Sequence, residues 1–76
     1  MTPAFRFSGG DIIAGRDDRI SLDDAIRMHK TAADRHILAG KSGEVEASLF
    51  YLARQRELED AIRGASEWRR AGGARS

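Results

Sequence analysis

Residues 45–53 read Val-Glu-Ala-Ser-Leu-Phe-Tyr-Leu-Ala. Successive side chains of a helix lie about 100° apart, so Leu49, Phe50, Tyr51 and Leu52 point around nearly the whole circumference. Val45, Leu49 and Leu52 form one stripe and Phe50 lies on a second side. Tyr51, Leu58 and Ile62 form a third. A helix resting on a single neighbour needs one apolar stripe, whereas a helix apolar on every side needs cover from several directions. The segment must therefore be surrounded by the rest of the chain or by another chain.

Little chain is present to do so. The 76 residues make one domain. Below roughly 80 residues a single core rarely supplies more than a few kcal/mol without a disulfide, a metal or a partner subunit. There is no Cys, hence no disulfide and no thiolate metal site, a usage that fits a reducing compartment. Oligomerisation or docking on a partner is the remaining support. The apolar share of 41% and charged share of 33% are those of a foldable chain. No apolar run reaches the roughly 18 residues of a membrane span, and residues 1–10 lack the apolar stretch of a secretory leader. No membrane association is expected. The expected location is the cytoplasm or a phage or virion assembly. Arg greatly outnumbers Lys, and Ala and Gly are common. That composition is associated with GC-rich bacterial genomes and their phages and plasmids.

The first twenty residues do not carry a helical pattern. Phe5-Arg6-Phe7 alternates as a half-buried strand does, Ser8-Gly9-Gly10-Asp11 is a turn cluster, and Ile12-Ile13 follows. Pairing of Phe5–Phe7 with Ile12–Ala14 gives a short hairpin, but an isolated hairpin is marginal in water. An extended arm whose apolar residues rest on helices is the preferred reading, with 15–19 a charged connector. Ser21 followed by Asp23 and Asp24 is a helix start. The first helix is expected over about 21–39, with Leu22, Ile26, His29, Ala33, His36 and Ile37 inward and Gly40 closing it in the left-handed conformation. Ser42 is the next N-cap candidate, and the second helix is expected over about 43–65. So short a link makes antiparallel neighbours. The expected fold is all-α: an antiparallel two-helix hairpin over 21–66 with an N-terminal extended arm or short β-hairpin over 1–20. A basic flexible tail over 67–76 follows, and oligomerisation completes the fold.

Chemistry-bearing patterns are weak. His29 and His36 are two helical turns, about 10 Å, apart, too far for one ion. Asp17-Asp18 and Asp23-Asp24 lack the spacing of a calcium loop, and Gly9-Gly10 lacks the residues of a phosphate-binding loop. Neither catalysis nor a cofactor or metal is expected. Net charge is +1, and the signs alternate along the chain except in the tail. That speaks against broad phosphate contact. The expected function is a small non-catalytic protein–protein interaction module, either an adaptor or assembly subunit or an inhibitor of a larger complex. Its partner is another protein, a second copy, or both. Leu49, Phe50, Tyr51, Leu58 and Ile62 are the candidate contact residues. The alternative is a small DNA- or RNA-binding regulator using the hairpin and the tail, where Trp68 would stack and Arg69, Arg70 and Arg75 would meet phosphates.

Overall fold

The computed structural model describes residues 4–72. Its elements in chain order are β1 (Phe5–Ser8), β2 (Asp11–Ala14), β3 (Asp18–Ile20), α1 (Leu22–Lys41) and α2 (Val45–Arg70). The fold is α+β, which corrects the all-α expectation. The N-terminal segment is neither an arm nor a lone hairpin but a three-stranded antiparallel sheet in the order β1-β2-β3. Phe5 pairs with Ala14 and Phe7 with Ile12, and Ile12 in turn pairs with Ile20.

The third strand falls in the stretch that reads as a charged connector. Asp18-Arg19-Ile20 carries no apolar alternation of its own, and polar contacts hold it. The Arg6 guanidinium donates to the carbonyls of Gly15 and Arg16 at 2.9 and 2.7 Å, which pins the β2–β3 turn. Arg19 pairs with Asp11 at 3.4 Å across the strands. Ile13 lies between Arg6 and Arg19 in the register and is buried although it shares their face. The aliphatic stems of flanking arginines shield such a side chain while their charged heads stay wet.

Ser21 caps α1 as expected, its hydroxyl accepting from the Asp24 amide at 3.1 Å. The link differs from expectation. Helix α1 continues through Gly40 to Lys41, Ser42 becomes its C-cap, and Gly43 takes the left-handed conformation at φ 75°. Two glycines three residues apart both permit a left-handed stop, and the later one uses the amides of Ser42 and Glu44 to satisfy the carbonyls of Leu38 and Ala39. Helix α2 begins without a side-chain cap and runs on to Arg70 rather than ending near residue 65. The expected tail is thus helical up to Arg70.

The orientation of α1 is the larger correction. Its buried residues are Ala25, Ala32 and Ala39, not the stripe containing Ile26 and Ile37, which stay about half exposed. Helix α2 buries Leu58, Ala61 and Ala65, which share a cluster with Ala25. Small side chains let two helix axes come close, and a seven-residue spacing keeps them on one seam. Phe5 and Ile12 from the sheet complete the core with Ala25, Leu58, Ala61 and Ala65.

The sheet lies along the C-terminal half of α2. The Phe7 ring occupies the space that a Cβ at Gly64 would need. Trp68 rests against the β1–β2 turn, 3.3 Å from where a Cβ at Gly9 would stand. Helix propensity alone favours Gly64→Ala by about 1 kcal/mol. The Phe7 seat predicts the opposite sign, a loss of about 1–2 kcal/mol, measurable by urea denaturation. Removing the ring as well, in Phe7→Ala/Gly64→Ala, should abolish that penalty.

Candidate interaction surfaces

The hairpin has two broad faces. The near face carries the sheet over the half built from the start of α1 and the end of α2. Its other half, toward the link, is bare. There Thr31, Ala32 and Arg35 of α1 and Phe50, Tyr51 and Arg54 of α2 line a shallow depression. A second depression beside it is lined by Arg35, Leu38, Ala39, Ala47 and Tyr51, among others.

Its geometry is aromatic and cationic. Phe50 is 55% exposed and Leu38 63%. The Phe50 and Tyr51 rings meet edge to face with centroids 5.3 Å apart. The Arg54 guanidinium stands 5.5 Å from the Phe50 centroid and 5.4 Å from that of Phe5, so it bridges the bare half and the sheet. Arg35 stands 5.8 Å from the Tyr51 centroid. Neither arginine belongs to an ion pair among the described residues.

The far face carries no sheet. Along it run Ile26 and Ile37 of α1 and Val45 and Leu49 of α2, at 49%, 55%, 67% and 59% exposure, with half-buried Ala33 and Leu52 between them. Polar pairs stitch the seam beneath. His29 Nε2 lies 3.0 Å from Glu59 Oε1. His36 Nδ1 lies 2.9 Å from the Ser48 carbonyl and 3.0 Å from the Ser48 hydroxyl. A carbonyl only accepts, so the contact with the Ser48 carbonyl is a hydrogen bond when Nδ1 carries a proton. The two histidines therefore each tie α1 to α2 at a separate level. No group of three or more His, Cys, Asp or Glu side chains among the described residues is arranged to hold a metal ion.

The five candidate contact residues do not converge. Leu58 is fully buried and belongs to the core, where it offers nothing to a partner while the chain is folded. Tyr51 and Ile62 are half-buried on the side facing α1. Phe50 lies on the near face and Leu49 on the far one. Arg35, Arg54 and Leu38 on the near face were missed by sequence reasoning. Arg54 stands four residues after Phe50, the spacing that puts two residues on one side of a helix, and that was the available signal. Of the residues proposed for nucleic acid, Trp68 is committed to the β1–β2 turn at 37% exposure, and the Arg69 side chain lies against Gly10. Arg70 ends α2 as an exposed residue. Arg75 lies outside the described residues.

Among the described residues, no helix is long and apolar enough to cross a membrane. No family model, curated protein or solved structure matches the chain.

One buried polar atom, the Gln55 Oε1, has no hydrogen-bond partner among the described residues. Such a group costs about 1–3 kcal/mol. Gln55→Met keeps the length of the side chain and removes the amide. It is expected to raise unfolding free energy by about 1 kcal/mol in chemical denaturation. A loss would mean that the amide is satisfied.

Proposed function

We propose that this chain is a non-catalytic protein–protein interaction module that presents the bare half of its near face to another protein. The observation that carries the reading is the cluster of Phe50, Tyr51 and Leu38 between two arginines, Arg35 and Arg54, that enter no ion pair among the described residues. Aromatic residues and Arg dominate binding energy at protein interfaces because they offer large area at small entropic cost. The ring positions are already set by the edge-to-face contact and by the guanidinium over Phe50, so little order is lost on binding.

The chemistry of the cluster supports one class of partner. It is a protein segment with an apolar or aromatic side chain to rest against Phe50 and carboxylates to meet Arg35 and Arg54. A small cofactor-free unit of this kind serves as an adaptor or assembly subunit, or as an inhibitor occupying a surface of a larger complex. The open, shallow shape of both depressions supports a broad protein contact over an enclosed substrate site.

Panning a random peptide display library against the full chain tests this. Enriched peptides should combine an aromatic or aliphatic residue with neighbouring Asp or Glu. Phe50→Ala should weaken their binding tenfold or more, and Arg35→Ala with Arg54→Ala should remove the acidic preference. Absence of any enrichment dependent on Phe50 would contradict the reading, as would tight, salt-steep binding of duplex DNA or RNA.

A further inference from the structure

The depression on the bare half of the near face is lined by polar side chains that all donate hydrogen bonds. Its residues are Thr31, Ala32 and Arg35 of α1 and Phe50, Tyr51 and Arg54 of α2, with no Asp or Glu among them. A guanidinium has five N–H donors and no acceptor. Arg35 donates to the Tyr51 hydroxyl oxygen at 3.5 Å, so the hydroxyl keeps its own proton for another acceptor. Two positive charges and a hydroxyl thus face one space that supplies no anion. We propose that this depression receives a phosphorylated tyrosine of the partner protein. Its phosphate lies between Arg35, Arg54 and the Tyr51 hydroxyl, and its ring lies against Phe50.

Both guanidinium groups are held by rings. Arg54 stands 5.4 Å from the Phe5 centroid and 5.5 Å from that of Phe50, and Arg35 stands 5.8 Å from that of Tyr51. A guanidinium resting on an aromatic ring keeps N–H groups at its edge for a bidentate contact with an oxyanion. Tyr51 stands between the two. Arg35 reaches its hydroxyl from α1, and Arg54 follows it by three residues on the same side of α2. Groups placed in this way before a ligand arrives lose little freedom when it binds.

Charge selects the occupant. A phosphate monoester carries about −1.5 to −2 at neutral pH and three strong acceptor oxygens, which matches two cations and a hydroxyl. A carboxylate brings one charge and two oxygens. The surroundings select a single phosphate over a polyanion. The neighbouring depression on the link side includes Glu44, and the one on the sheet side, beside Phe5, includes Glu57 and Asp60. An extended nucleic-acid strand crossing the cluster would run onto those carboxylates, whereas one phosphorylated side chain stays between them. Phe50, 55% exposed, gives the ester's ring an aromatic seat, which a phosphorylated serine or threonine would leave unused.

This inference rests on the reading of the near face as a protein-binding surface. An NMR titration of the full, isotope-labelled chain with phenyl phosphate tests it. Saturable shifts are expected at the amides of Thr31, Arg35, Phe50, Tyr51 and Arg54. Phenyl phosphate should bind at least tenfold more tightly than benzoate, and more tightly than methyl phosphate. Arg35→Gln and Arg54→Gln should each weaken it tenfold or more, the loss expected for a charge-assisted contact. Arg70→Gln removes an equal charge from the end of α2 and should change nothing. Arg35 is exposed, so its variant decides the matter if Arg54→Gln disturbs the packing of Phe5. A capped tripeptide with phosphotyrosine at its centre should bind at least as well as phenyl phosphate, and its unphosphorylated form should not bind. Absence of saturable shifts overturns the proposal, as does equal binding of benzoate or of methyl phosphate. A single-stranded oligonucleotide bound more tightly than the phosphopeptide would assign the site to nucleic acid instead. Phe50-dependent enrichment of unphosphorylated peptides together with failure of phenyl phosphate would sink this inference alone and leave the proposed function standing.

Discussion

The structure depends on the seam between α1 and α2, where Ala25 packs with Leu58, Ala61 and Ala65 of α2 and Ala32 and Ala39 are buried toward the link beside Tyr51. Alanine in a helix loses no side-chain freedom and allows the axes to come close. Its cost is that little apolar area is buried per residue. Among the described residues, only Ile12 and Leu58 are large side chains buried completely. The sheet supplies the rest through Phe5 and Ile12, set over α2 by the close seat of Phe7 on Gly64 and of Trp68 on the β1–β2 turn.

Turning alanines inward turns larger side chains outward. Rotation of α1 about its axis leaves Ile26 and Ile37 on the far face and Leu38 on the near one. On α2 the ring of apolar residues from Leu49 to Leu52 then has one side against α1 and the others open. The sheet is too short to reach Phe50. Two apolar surfaces of different character remain, one aliphatic and one aromatic with arginines. The proposed function follows from the aromatic one.

Much of the helical part was legible. The Ser21 cap, a short link and two antiparallel helices follow from local patterns, and Leu49–Leu52 announced a helix with too little cover. The third strand was not legible, because Asp18-Arg19-Ile20 depends on Arg6 reaching the turn carbonyls, a contact nine and ten residues away in sequence. The inward face of α1 was misread because Ile26 and Ile37 outweigh three alanines on any hydrophobicity count. The seven-residue spacing of those alanines was the signal, and it matters only once α2 is known to lie along all three. The site residues scattered for a related reason: one helix supplied all five candidates, while the near-face cluster also draws on Arg35 and Leu38 of α1.

The exposed surfaces therefore depend on which side of α1 faces α2. Ala32→Leu, measured by urea denaturation at concentrations low enough to keep the chain monomeric, tests that directly. Ala32 lies within the seam beside Phe50 and Tyr51. Three added carbon atoms there must push the helices apart, and the expected result is a loss of about 1–3 kcal/mol. Unchanged or increased stability would place Ala32 outside the seam, restore Ile26 and Ile37 to the core, and remove both surfaces at once.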